Sequence, residues 1–402
     1  MKKVAIKYGC LLSCLTLILS CSSSAKMEKG VISLEEALNN VACINLGEVS
    51  KSIRYIPLET TPESLVGEIG DGIVYDGEYI YIKSRTAIKI FDKEGKYIRT
   101  IDRSGRGPEE YTPGFNLSLS PLNGNIVIRA YSSIKEYDMI GNFIKKIDLP
   151  KVEGYNVVDP RIIADNSYVA SLAIGKYDRE HFAVIYDSLL TIQAMLPTPD
   201  LYGMDRTVVK TQDPFSSEMN FYAVISAKIF RYDNSVRIFY PETKEVFTTT
   251  GNNLDTAFVV DYGKYRLPGG LVNDVTPDDD YISLNSFVET KNYLFITAVM
   301  RNSLSHSSGN FGNILYDKHL SKSYVLYDKE DKKNGFRDDM EGGPVFWPRS
   351  VFGQNTLISY VNPIVLKEYA EEGNSMSEKL SRIVAELKED SNPVIVVVEL
   401  KK

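Results

Sequence analysis

The chain has 402 residues, 43% of them apolar, and a formal charge of −7, enough apolar material to bury a large core. Its four cysteines, three scattered histidines and lack of any basic tract exclude a disulfide framework and an electrostatic nucleic-acid or anionic-membrane binder. His181, His306 and His319 are never spaced i, i+4, so no local zinc signature exists either.

The first 21 residues, MKKVAIKYGCLLSCLTLILSC, join Lys2, Lys3 and Lys7 to an apolar run from Leu11 to Leu19 that is too short to span a bilayer. Ile18-Leu19-Ser20-Cys21 then reads as a bacterial lipoprotein cleavage site, with residues 1–20 removed and Cys21 acylated. An ordinary secretory leader is the alternative. Cleavage takes the formal charge from −7 to −10 and leaves Cys43 as the one unmodified cysteine, so no intrachain disulfide is expected. Residues 21–44 read as a lipidated tether and 45–402 as the folded domain. Within the tether, Ser33 and Glu36 have capping-box spacing, which predicts a short helical turn through Leu38. Ser22–Lys29 carries no acidic run, so a periplasm-facing ring on the outer membrane is expected, with cell-surface display the alternative.

From Ser52 to Tyr369 the chain alternates short Tyr-, Ile-, Val- and Phe-rich runs with Gly, Asn and Asp, the grammar of β-strands. One unit recurs. Phe91-Asp92-Lys93-Glu94-Gly95 is followed by Tyr137-Asp138-Met139-Ile140-Gly141, Tyr186-Asp187-Ser188-Leu189-Leu190 and Tyr316-Asp317-Lys318-His319-Leu320, and Phe239-Tyr240 takes a similar slot. An apolar residue ends a strand, Asp caps the turn through its carboxylate, and a Gly or polar residue takes positive φ. Asp76-Gly77, Asn123-Gly124, Asp165-Asn166 and Lys291-Asn292 mark a second hairpin in several of the units. Two hairpins per unit and markers 46, 49, 53 and 77 residues apart predict four-stranded propeller blades. Five units are visible. A sixth is assembled from Leu357–Val361, a helix and Val394–Leu400, closed by an N-terminal strand near Ile53–Leu58. The fold expected is all-β, a six-bladed β-propeller, with two sandwich domains as the competing arrangement. One helix is predicted from Met376 to Lys388, capped by Ser375 with Glu378 and packed across the rim of the last blade.

Several phrases then combine: Tyr55-Ile56-Pro57-Leu58, Arg106-Gly107-Pro108-Glu109-Glu110-Tyr111, Phe258 to Pro268, Gly342-Gly343-Pro344 with Phe346-Trp347-Pro348, and Asn392-Pro393-Val394. Together they resemble the NHL-like six-bladed β-propeller lipoproteins of Gram-negative gut anaerobes over about residues 45–402. The resemblance implies fold and cell-envelope location, and no established activity. The chain departs from the pattern at Glu109, where that family usually has Gly.

Two loops stand out as candidate ligand sites. Arg103, Arg106, Glu109, Glu110 and Tyr111 place two guanidinium groups, two carboxylates and a phenol on one loop, a set suited to acids, sugars or peptides. An inter-blade turn with internal ion pairs is the alternative. Asp338, Asp339, Trp347 and Arg349 set the sole tryptophan beside an acidic glycine-rich loop, where it stacks on a ligand or fills a gap between blades. Asp278-Asp279-Asp280 lacks the Gly and distal Glu of a calcium loop and reads as a solvated turn. Lys83 and Arg129 follow corresponding strands of neighbouring blades and are candidates for lining the channel, or for pairing with nearby acids.

No G-x-S-x-G, HExxH or phosphate-cradling loop occurs, so no catalytic residues, metal or cofactor are assigned. The expected function is a non-catalytic envelope module that binds a glycan, a peptide or an envelope protein. The alternative is a lyase or hydrolase of carbohydrate or peptide derivatives with a site in the central channel.

Overall fold

The structure, a computed structural model, describes residues 30–67, 69, 72–174, 180–197, 209–210, 220–221, 227–233, 235–239, 244–250, 253–265, 280–302, 308–329 and 332–402. The leader, Cys21, the segment to Lys29, His306, Asp278 and Asp279 lie outside the described residues.

Six sheets form the ring. Blade 1 runs Ile73–Tyr75, Tyr79–Ser84, Ala87–Asp92 and Tyr97–Ile101, and blade 2 runs Asn116–Leu119, Ile126–Ala130, Ser133–Tyr137 and Phe143–Asp148. Blade 3 runs Tyr155–Ile162, Tyr168–Ile174, His181–Tyr186 and Ile192–Pro197. Blade 4 contains Lys228–Tyr232, Ser235–Phe239, Glu245–Thr250 and Asn253–Asp261, and blade 5 Asp280–Glu289, Tyr293–Asn302, Ser308–Asp317 and Lys322–Leu326. Blade 6 joins Ser350–Phe352, Thr356–Val361 and Val394–Leu400 to the N-terminal strand Ser50–Pro57, so the two ends of the chain close the ring. Each blade touches the next through its inner strands, the first or second, all the way round. This is a six-bladed β-propeller of four-stranded antiparallel blades.

The recurrent turn forms as its chemistry dictates. In blade 2 the Asp138 carboxylate accepts the backbone N–H groups of Ile140 and Asn142, both at 2.8 Å, and these donors hold it below the usual carboxylate range. Gly141 sits at φ +94, and a Cβ there would meet Ile101 of blade 1 at 3.0 Å, so the glycine serves both turn and blade contact. Asp92, Asp187 and Asp317 bind their turns alike. Phe239 differs. It ends the second strand of its sheet rather than the third, which is why the marker spacing drifts to 53 and then 77.

Three elements depart from the sequence reading. Residues 30–44, read as tether, are folded: Gly30–Ser33 pairs in parallel with the outer strand of blade 4, and Val41–Ala42 with that of blade 5. Between them lies α1 (Leu34–Asn39), capped by Ser33 Oγ accepting the Glu36 N–H at 3.2 Å, as its spacing predicts. A further short helix, α2 (Leu46–Val49), precedes blade 6. Second, the helix of blade 6 is two: α3 (Pro363–Glu371), opened by Pro at its first position, and α4 (Glu378–Glu386). Third, α4 is capped by Ser377, whose Oγ accepts the Leu380 N–H at 3.0 Å, and not by Ser375. Leu366, Leu380 and Val384 bury against Tyr55, Phe346 and Val396, which seats the helical pair on blade 6.

Candidate functional site

The Arg103–Tyr111 loop links blade 1 to blade 2 and is held from inside. Tyr111 is 2% exposed. Its hydroxyl donates to the Ile101 carbonyl at 3.1 Å and its ring meets Phe115 and Tyr137 edge-on. Burial pushes the Tyr111 phenol up to about 12. Tyr137 donates to the Glu109 carbonyl at 2.8 Å, while the Glu110 carboxylate folds back onto the Gly107 N–H at 2.7 Å. Tyr111 is therefore a core residue, not a ligand contact, and Glu110 braces its own loop. Arg103, Arg106 and Glu109 stand exposed, with no ion pair to one another among the described residues.

The second loop is also structural. Asp338 is buried and accepts from Tyr55 Oη at 2.8 Å and from the N–H groups of Gly343, Met340 and Glu341. Burial first, and then the Asp338 charge, raise the Tyr55 phenol well above its ordinary value. Asp339 accepts the Gly47 N–H at 2.7 Å, which ties the loop to α2. Trp347 donates from Nε1 to Thr297 at 3.1 Å and lies against Phe336 and Phe295, filling the junction of blades 5 and 6. Arg349 stacks on Tyr360 at 4.5 Å. Trp347 thus takes the second of its two expected roles, filling a gap between blades, and stays half-buried there.

Lys83 does not extend into the channel as a free cation. Its Nζ donates to the Phe115 carbonyl at 2.6 Å and lies 4.9 Å from the Phe115 ring, so it clips blade 1 to blade 2. Arg129 is different. It is 4% exposed, and its Nη1 donates to Asp159 of blade 3, which also takes Nη2 of Arg161 at 2.9 Å. Asp159 sits at φ +49 where the first strand of blade 3 slips register between Val158 and Arg161. This left-handed backbone aims its carboxylate at both arginines.

These two arginines line a largely enclosed cavity of about 70 Å³ where blades 2, 3 and 4 meet, and Arg231 of blade 4 completes its wall. Leu119, Pro121, Val127, Ile162, Phe230 and Val236 supply the apolar side. Nε of Arg129 and Nε of Arg161 are buried and have no acceptor among the described residues. Burial, and next the charge of Arg161, push the Arg129 guanidinium down to about 9, against the pull of Asp159. Arg231 is exposed at the rim, with Nε donating to the Asp233 carbonyl at 3.0 Å. Three guanidinium groups thus share one small cavity, with Asp159 binding two of them and Asp233 beside the third. Such an arrangement is electropositive and rich in unspent donors.

A family model described as a domain of unknown function, DUF4934, matches residues 29–399. The chain belongs to the DUF4934 family. Its start at residue 29 agrees with the folded Gly30–Ala42 segment of this DUF4934 chain. A protein of Bacteroides fragilis NCTC 9343, provisionally described as exported, is similar in structure at 16% identity and TM-score 0.65, covering 93% of this chain and 99% of its own. A Bacteroides caccae protein of unknown function shares 10% identity at TM-score 0.31, over 58% of this chain and 77% of its own. The extracellular domain of a provisionally assigned one-component system of B. thetaiotaomicron shares 10% identity at TM-score 0.34, over 86% of this chain and 40% of its own. No curated protein matches.

Of the cavity's three arginines the sequence reading singled out Arg129 alone. Arg161 and Arg231 lie 32 and 102 residues further on, in no shared motif. One signal was legible: Asp159-Pro160-Arg161 interrupts a strand, and an acid before proline inside a strand marks a bulge.

Proposed function

We propose that this chain is an exported, non-catalytic binding module of the cell envelope that recognises an acidic group in a cavity between its blades. The observation that carries the reading is the cavity ringed by Arg129, Arg161 and Arg231, where buried guanidinium donors outnumber the acceptors offered to them. Guanidinium forks match carboxylate and other oxyanions in geometry and charge. An acidic glycan or an acidic peptide meets that requirement, and so does an acidic segment of another envelope protein. Export is supported by the leader and by the provisional description of the B. fragilis relative. Acylation at Cys21 anchors the ring to the outer membrane facing the periplasm, with the cell surface as the other side it can occupy.

Arrays of acidic and neutral glycans and peptides, probed with the native ring and with Arg231→Gln, test the binding reading. Acidic hits that vanish in the variant support it, and hits indifferent to ligand charge overturn it. Metabolic labelling with an alkyne fatty acid tests the anchor: wild type should label and Cys21→Ala should not.

A further inference from the structure

The walls of the cavity say more about its occupant than its charge does. We propose that the group bound is a carboxylate carried on a short apolar stem, and not a tetrahedral dianion such as sulfate or phosphate; this rests on the anion-binding reading above.

Size comes first. A cavity of about 70 Å³ is far below the ~300–1,000 Å³ of pockets that hold whole small molecules, so it takes a head group and not a sugar ring. The distribution of chemistry comes second. The hydrogen-bonding side chains are those of Arg129, Arg161, Arg231 and, on the blade 2 side, Ser118, while Leu119, Pro121, Val127, Ile162, Phe230 and Val236 offer no hydrogen bond from their side chains. A tetrahedral dianion carries oxygens on every side, and some would be pressed against this apolar wall without partners, a desolvation that nothing offsets. A carboxylate gathers both oxygens at one end and leaves carbon at the other. Charge comes third. Asp159 already sits between Arg129 and Arg161, and its carboxylate repels a second full charge beside it more than a single one. Each feature favours one negative charge with an apolar tail.

The chain end of a peptide with an aliphatic last residue has this chemistry, and so does a free short-chain acid. Titration calorimetry on the full chain separates them with four probes: butyrate, a tripeptide ending in valine, the same tripeptide as its C-terminal amide, and sulfate. The tripeptide acid, butyrate or both should bind at least tenfold more tightly than the amide and sulfate, and Arg231→Gln, at the exposed rim, should weaken that binding about tenfold. Tighter binding of the tripeptide acid than of butyrate names a chain end, and the reverse names a free acid. If sulfate binds as well as the carboxylates, the proposal is overturned while the anion site stands. If acid and amide bind equally, or no probe binds, both readings fall together. Circular dichroism of Arg231→Gln confirms that any loss is not one of fold.

Discussion

Arg129 of blade 2 reaches across a blade boundary to Asp159 of blade 3, whose backbone leaves the ordinary β region to receive it. The pair couples blade packing to the chemistry of the cavity, because Arg161 shares the same carboxylate and both arginines line it. Asp159→Asn tests this directly. Asn tolerates positive φ as Asp does, so the backbone is kept and the charge is removed. A buried guanidinium without its counter-charge costs about 3–5 kcal/mol, and the shortfall should appear as a lower urea midpoint with an unchanged slope. Arg129→Met, which removes the buried charge and keeps its packing, should cost clearly less. Equal losses in the two variants would mean that packing and not charge holds the boundary.

The Arg103–Tyr111 loop makes two opposite predictions. Tyr111→Ala removes a buried ring from between Phe115 and Tyr137 and should cost about 3–5 kcal/mol. Arg106→Ala, at an exposed position with no ion pair among the described residues, should shift stability by less than about 0.5 kcal/mol. It should also leave carboxylate binding intact. Thermal melts of both variants and calorimetry on the second check this.

That contrast shows what was legible in the chain. The blades could be read because Asp138 and Gly141 satisfy a local turn requirement, and a local requirement repeated at a fixed period leaves a visible trace. The closing strand near Ile53 and the cap at Ser33 were readable for the same reason. For Tyr111 and Trp347 the sequence left a ligand contact and an inter-blade packing role both open, because polarity and aromaticity say nothing about which way a side chain points. The cavity was hidden because Arg129, Arg161 and Arg231 meet only once three blades have closed around them. The strands Gly30–Ser33 and Val41–Ala42 escaped notice because they are too short to show alternation and pair with sheets more than 200 residues away.

Alkaline pH should unfold the ring through its tyrosines. Burial raises Tyr111, Tyr137 and Tyr186 to about 12, from an ordinary phenol value of about 10. Their folded pKa lies above the unfolded one, so this contribution is fully present below pH 10 and is lost as pH rises toward 12. The slope is about 1.4 kcal/mol per pH unit for each tyrosine inside that window. Urea titrations at a series of pH values, with tyrosinate absorbance followed in parallel, should show stability falling there and a late share of the ionisation, beyond that of the surface tyrosines, appearing together with unfolding. Complete tyrosine ionisation on a ring that stays folded would contradict the burial.

Trp347 is the single tryptophan and so reports on one junction. Its indole lies between Phe295 and Phe336 and is bonded to Thr297, so its emission should shift to longer wavelength in one transition that coincides with the loss of sheet by circular dichroism. Trp347→Ala should cost about 3–5 kcal/mol. Carboxylate binding should be unchanged at concentrations of denaturant where the variant remains folded, because the cavity belongs to blades 2, 3 and 4 and the tryptophan to blades 5 and 6.

The N-terminal segment gives the last test. Ile32, Leu34 and Ala37 are fully buried against blades 4 and 5, in one cluster with Phe239, Phe258 and Tyr316. Burying Ile32 and Leu34 contributes about 1.5–3 kcal/mol apiece, and the parallel strand pairs cover two outer sheet edges that would otherwise face water. A chain beginning at residue 45 should therefore be less stable than one beginning at residue 22 by several kcal/mol, with a smaller denaturant slope because less surface is buried. A chain beginning at residue 30 should match the longer one. If removal of residues 30–44 leaves the urea midpoint unchanged, the segment is a tether after all, and its pairing with the two blades contributes nothing to the fold.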